Sequence, residues 1–283
     1  MSAGFTAACL QLTSEREVEP NIAAVRDLAR RARDRGADLI MTPEVTDMLE
    51  PRRDAMLAKA RPEPEHAMLA AAREIARETG AWFLLGSAVV KLPDDPRVAN
   101  RSFLIAPDGG IAARYDKIHM FDVDLDGGES YRESRSYRPG QAAVLAGLPW
   151  GKLGMTICYD LRFPDLYRAL AVAGAGFLSI PSAFTVPTGR AHWHVLIRAR
   201  AIESFCFVFA PAQSGEHANG RKTYGHSLIV APWGEILAEA EDGPGVITAT
   251  IDPARIAEAR RAVPSLAHDR PFTPPVANPM AAE

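Results

Sequence analysis

Three side chains of this sequence could act as thiol nucleophiles, Cys9, Cys158 and Cys206, and their surroundings differ. Cys9 in FTAACLQL and Cys206 in FCFVFAPA lie within apolar, strand-like runs, where a cysteine behaves as a small buried hydrophobe. Cys158 closes the apolar run KLGMTIC and is followed at once by YDLRFPD, which reads as a turn from a strand into a helix. Such a turn presents a side chain at a sheet edge and supplies backbone N–H groups. The helix N-terminus favours negative charge, so a thiolate and a developing oxyanion would both be stabilised there, with the Tyr159 backbone N–H as the natural donor. That chemistry is nucleophilic acyl transfer.

Other polar residues fall near this turn or at comparable positions. Glu44 stands just behind Pro43 at the end of the buried run ADLIMTPE, and Lys117 sits at the exit of RSFLIAPDGGIAARYDK. Arg162 follows Cys158 closely enough to project into the same pocket and grip a substrate carboxylate with its planar fork; pairing with Asp160 or Asp165 is the alternative. Arg132, Arg135 and Arg138 either steer an anionic substrate or form a solvated face with Glu129 and Glu133. His192 and His194 form an HxH pair, but at helical spacing they point to different faces, and His119, His217 and His226 read as loop residues, so no metal is expected. The glycine pairs at 109–110 and 127–128 carry no P-loop lysine or GxGxxG pattern, so no nucleotide cofactor is expected either.

The elements that must position these residues alternate along the chain. Residues 5–12 read as a strand, Pro20 to Gly36 as an amphipathic helix, 63–80 as a second helix stopped by Gly80, and 82–90 as a strand. A hairpin turns at Pro107-Asp108-Gly109-Gly110, and 119–140 is a long polar loop of functional character. Strand 152–158 leads into a helix beginning near Pro164; strand 176–183, helix 192–204 and strand 205–212 repeat that logic. Strands GHSLIVAP and GVITATI follow, and a proline-rich stretch from Pro264 to the end reads as an extended tail. Strands and helices interleave without a break in composition, which predicts one α/β domain over residues 1–275.

Bulk properties narrow the partners. With 283 residues, 47% hydrophobic and 24% charged, the chain can bury a large core. A net charge of −3 creates no field for nucleic acid or an anionic membrane, and a small-molecule substrate fits better. No apolar run approaches the roughly 18 residues of a membrane span, and the first residues lack the pattern of a signal peptide. Three widely spaced cysteines make neither a disulfide framework nor a CxxC site, which predicts a cytoplasmic location.

Taken together, GMTICYDLRFPDLYR, TPE at 42–44 and YDKIHMFD at 115–122 resemble the cysteine, glutamate and lysine motifs of the nitrilase superfamily. PSAF at 181–184, TGRAHWHVLIRARAIES at 188–204 and YGHSLIVAPWGEI at 224–236 are similar to its Nit branch. The resemblance runs from about residue 5 to 275 and implies a four-layer α-β-β-α sandwich that pairs into at least a homodimer. It implies a Glu44, Lys117 and Cys158 triad hydrolysing a linear amide of a small anionic substrate through a thioester, without a cofactor. Glu44 would carry protons, a task expected to need a raised pKa, and Lys117 would help bind the oxyanion. Glu133 would be the second glutamate, with Glu129 as the competing assignment. Phe184 and Thr188 would line the acyl pocket. SGEHANGRKTYGHS most resembles the type that acts on deaminated glutathione. Alternatives are an ω-amidase acting on 2-oxoglutaramate or 2-oxosuccinamate, an N-carbamoyl or nitrile hydrolase, a catalytically silent scaffold, and a redox sensor pairing Cys158 with Cys9 or Cys206.

Overall fold

A computed structural model describes residues 4–124, 130–218 and 220–275. The first half contains β1 (Phe5–Gln11), α1 (Val18–Asp34), β2 (Leu39–Met41), α2 (Arg53–Lys59), α3 (Ala67–Thr79), β3 (Trp82–Lys91), β4 (Val98–Ile105) and β5 (Ile111–Asp116). A small hairpin of β6 (Asp122–Asp124) and β7 (Ser130–Arg132) follows. The second half contains β8 (Val144–Leu148), β9 (Gly151–Met155), α4 (Pro164–Val172), β10 (Phe177–Ser179), α5 (Val186–Ser204) and β11 (Phe207–Ala210). The chain ends with β12 (Ser214–Glu216), β13 (Lys222–Tyr224), β14 (Leu228–Val230), β15 (Ile236–Glu239), β16 (Gly245–Ile251) and α6 (Ala254–Ala262).

Two six-stranded sheets result, ordered β16-β1-β2-β3-β4-β5 and β15-β14-β11-β10-β9-β8. Each has three parallel strands at its centre, β1, β2 and β3 or β9, β10 and β11, flanked by antiparallel strands. The alternation in β1 shows why the sheets stack. Phe5, Ala7 and Cys9 enter the core between the sheets, whereas Ala8 and Leu10 enter the core beneath α1 and α3. A central strand buried on both faces needs apolar residues at both parities, which explains the near-continuous apolar character of β1 and β3. Val25, Leu28, Ala29 and Ala32 give α1 its buried stripe, and α3 buries Met68, Leu69, Ala72, Ile75 and Ala76. On the second sheet, α4 and α5 bury Tyr167, Leu170, Trp193 and Ile197. The result is the α-β-β-α order of layers.

Several boundaries depart from the sequence expectations. Helix α5 starts at Val186 rather than 192, because Pro187 is tolerated in a first turn, where an N–H has no helical partner anyway. Strand β9 ends at Met155, so Cys158 lies beyond the strand, at the start of a 3-10 turn over Cys158–Arg162. Elements α2, α6, β8, β12, β13 and β15 lie in stretches whose periodicity is too short or too polar to announce them. From Pro264 to residue 275 no helix or strand forms, although Arg168 pairs with Asp269 at 2.9 Å and ties this segment to α4.

Candidate active site

The sheets deliver their polar residues just beyond the C-terminal ends of parallel strands, the usual place for sites in α/β sheets. Glu44 comes three residues after β2 and Cys158 three residues after β9. Lys117 directly follows β5. Each is fixed by its backbone. The Glu44 carbonyl accepts from Gln213 Nε2 at 2.9 Å, and the amide of Val45, whose φ is 46°, donates to Ser87 Oγ at 2.8 Å. Cys158 has φ 49° and donates its amide to the Pro181 carbonyl at 3.0 Å. A non-glycine residue held in the left-handed region is strained, and here buried hydrogen bonds impose the strain. Fully buried Asp160 is the clamp. Its Oδ2 accepts from the Ile157 amide (2.9 Å) and Tyr115 hydroxyl (2.6 Å), and its Oδ1 from the His119 amide (3.0 Å) and ring (2.7 Å).

The side chains then converge. Lys117 Nζ, 2% exposed, donates to Glu44 Oε1 at 2.9 Å and to Glu133 Oε1 and Oε2 at 2.9 and 2.8 Å. Glu133 Oε2 also accepts from the Phe121 amide at 2.6 Å. Asn100 on β4 bridges both acids, donating Nδ2 to Glu44 Oε1 at 2.9 Å and Glu133 Oε1 at 3.3 Å. The Glu44 carboxylate stands near enough to the Cys158 thiol to oppose its ionisation. All four line one cavity of about 430 Å³, in the size range of small-ligand sites, together with Asn100, Tyr159, Phe184, Thr188 and Arg221.

Charge is distributed unequally. Burial raises the Glu44 carboxyl, but the Lys117 ammonium, the Cys158 thiol and Arg221 outweigh it and hold the group below its ordinary value. This corrects the expectation of a raised value, because a full positive charge touches the carboxylate. Burial disfavours the Lys117 ammonium, yet Glu133 and Glu44 keep it charged well above the usual lysine range. Burial and the Glu44 charge push the Cys158 thiol up, against a smaller pull from Lys117. The expected thiolate stabilisation at the turn is therefore overridden, and the resting pair is a thiol beside a carboxylate. Cys9 is raised by burial as well, and Cys206 is pushed up to about 12 by burial; all three cysteines are free and buried.

Residues 6–261 match the carbon-nitrogen hydrolase family. The chain belongs to that family. A protein named deaminated glutathione amidase from Yersinia enterocolitica is 39% identical over 93% of this chain and 92% of its own length. The crystal structure of Caenorhabditis elegans NitFhit superposes with a TM-score of 0.88 at 35% identity, covering 95% of this chain and 66% of that longer one. Saccharomyces cerevisiae Nit3, a member of branch 10 of the nitrilase superfamily, superposes with a TM-score of 0.83 at 28% identity, covering 92% and 94%. This carbon-nitrogen hydrolase thus has the nitrilase-superfamily fold and is an amidase-type hydrolase.

Of the residues singled out in the sequence, Glu44, Lys117, Cys158, Glu133, Tyr159, Phe184 and Thr188 meet at the cavity of the carbon-nitrogen hydrolase. Arg162 does not. Its guanidinium is 5.9 Å from the Tyr159 ring centroid, 5.6 Å from that of Phe184 and 3.3 Å from His192 Nδ1, away from the cavity lining. The 3-10 turn rotates position 162 behind the aromatic wall, and Asp160, its suggested partner, is taken by Tyr115 and His119. Arg132 lines the cavity and pairs with Asp124 at 2.8 Å, while Arg138 pairs with Asp94 at 3.0 Å. Glu129 lies outside the described residues. Sequence reading missed Asn100, Asp160 and Arg221. Asn100 opens the polar triplet Asn100-Arg101-Ser102 inside β4, a break in an otherwise apolar strand that was the available signal for it; the other two carried none.

Proposed function

We propose that Glu44, Lys117 and Cys158 form a catalytic triad that hydrolyses a linear amide through a cysteine thioester, with deaminated glutathione as substrate and 2-oxoglutarate and cysteinylglycine as products. The observation that carries the chemistry is a single ammonium, Lys117 Nζ, bonded at 2.9 Å to the Glu44 carboxylate in the cavity that Cys158 also lines. Glu44 takes the thiol proton as sulfur bonds to the amide carbon, and the carbonyl electron pair moves onto oxygen. The Tyr159 amide and Lys117 receive that oxyanion, Lys117 exchanging one of its bonds to Glu133 for it. Glu44 passes the proton to nitrogen, the C–N bond breaks and the amine departs, leaving the thioester. Water, deprotonated by Glu44, adds to the thioester carbon, and collapse releases the acid and returns the proton to sulfur.

The activity named for the Yersinia enterocolitica relative and a cavity with room for more than a small free amide support this substrate. Arg221 and Thr188 take the carboxylate of the 2-oxo acid half, and Phe184 covers its methylenes. An ω-amidase would bind the same half and release ammonia. Comparison of kcat/KM on deaminated glutathione and 2-oxoglutaramate separates the two; at least tenfold preference for the former is expected, and a preference for the free amide would sink the substrate choice. Quenched turnover should yield an acyl adduct on Cys158 by mass spectrometry, absent in Cys158→Ala. We further place the enzyme in the cytoplasm as a homodimer. Three free thiols support the location, and exposed Val172, Val195 and Ile202 on α4 and α5 support a second copy packed against those helices.

A further inference from the structure

Away from the cavity, donor atoms of His194, His226 and Glu239 lie within 4.8 Å of one another. His194 comes from α5, His226 from the turn before β14, and Glu239 from the last position of β15, paired with Leu228 of β14. We propose that these residues bind one zinc ion through His194 Nε2, His226 Nδ1 and Glu239 Oε1, with water in a fourth position.

Two imidazoles and a carboxylate suit zinc; magnesium and calcium seek oxygen alone. His194 Nε2 and His226 Nδ1 lie 2.8 and 3.0 Å from the same Glu239 oxygen. Tetrahedral ligands at zinc distances are roughly 3.3 Å apart, so each histidine need only draw back from Glu239 by a few tenths of an ångström, while the two imidazole donors, within 4.8 Å of each other, close on the ion by side-chain rotation. Each imidazole then moves its proton to its other ring nitrogen and offers the freed lone pair.

The trio is also held in advance. Trp193, buried beside His194 in sequence, donates Nε1–H to the His226 carbonyl at 2.7 Å and so ties that turn to α5. His226 is held at φ 54°, an unfavourable conformation for a non-glycine residue. The Tyr224 ring lies 4.4 Å from that of His226 and 6.1 Å, edge-on, from that of His194, which sets both imidazole planes. In the single chain all three ligands are about one-third exposed, on a flank of α5 other than the one that carries Val195 and Ile202, which leaves room for an ion and a water beside it. Bound zinc would cross-link α5 to the β14–β15 hairpin.

Full-length protein stripped with a chelator is titrated with zinc by calorimetry, as wild type, Cys158→Ala, His194→Ala and Glu239→Gln. The first two are expected to bind one ion per chain with equal affinity, which separates the site from the active-site thiol. His194→Ala, on the outer flank of α5, should lose about 100-fold or more in affinity and Glu239→Gln at least about tenfold. Zinc should raise the Tm of wild type but not of His194→Ala, and cobalt should give four-coordinate absorption bands only where His194 is present. Wild-type zinc affinity in folded His194→Ala, or no stoichiometric binding by the wild type, overturns the site.

Discussion

Cys158 rests as a thiol because burial and the adjacent Glu44 charge both oppose its ionisation, so reactivity depends on a proton acceptor already in place. Glu44 is held below its ordinary value of 4.5 and, in the proposed mechanism, is that acceptor while ionised. The pH profile of kcat/KM should therefore carry an acid limb below about 4.5 and no rise through the usual thiol range near pH 8.5. A bell centred on a thiolate ionisation at neutral pH would contradict this. The same shifts set stability. Glu44, with a depressed folded value, contributes stability above its unfolded value of 4.5, and loses it as pH falls through the folded value. Lys117, with a raised value, contributes below its unfolded value of 10.5, and loses it as pH rises through the folded one. Lys117→Met removes the shared counter-charge of buried Glu44 and part-buried Glu133 and is expected to cost about 3–5 kcal/mol at pH 7 by chemical denaturation. In that variant the carboxyls bind protons more tightly in the folded state, so the deficit should shrink toward pH 5.

Helices and strands matter here through the loops they launch. Gly86 in β3 lies where two of those loops touch: a Cβ there would be 1.9 Å from the Thr42 carbonyl, 2.4 Å from that of Pro43 and 2.6 Å from Pro181 Cβ. The first pair precedes Glu44, and Pro181 accepts the Cys158 amide. No rotamer relieves a clash with backbone. Gly86→Ala should therefore cost about 3 kcal/mol by thermal denaturation and lower kcat more than it raises KM, since nucleophile and base are both displaced. A variant with native stability and full kcat would show that these loops tolerate independent movement. Asp160 does the same work from the other side, joining the turn after β9 to Tyr115 at the end of β5 and to His119.

The folded chain leaves an exposed apolar strip, Val195 and Ile202, along the outer face of α5. If the proposed homodimer packs on this strip, replacing both with Glu should leave a monomer where the wild type sediments as a dimer; a monomeric wild type, or a dimer that survives the change, would refute that interface. How much of this architecture was legible beforehand follows from the range of the forces involved. Strand alternation in β1 and β3, the buried stripes of α1 and α3, and the glycine stop at Gly80, where φ is 63°, are local matters of side-chain order and backbone sterics, and they were readable. Glu44, Lys117 and Cys158 were singled out through the resemblance of the runs that carry them, and the structure brings all three to one cavity. Short elements such as β15 exist only because a neighbouring strand supplies their hydrogen bonds. The depressed carboxyl of Glu44, the raised thiol of Cys158, and the substitution of Arg221 for Arg162 at the cavity wall depend on atoms distant in the chain. Sequence motifs, through their family resemblance, were enough to single out Glu44, Lys117 and Cys158; only packing, which sets burial and brings remote charges within a few ångströms, decided their protonation and which arginine lines the cavity.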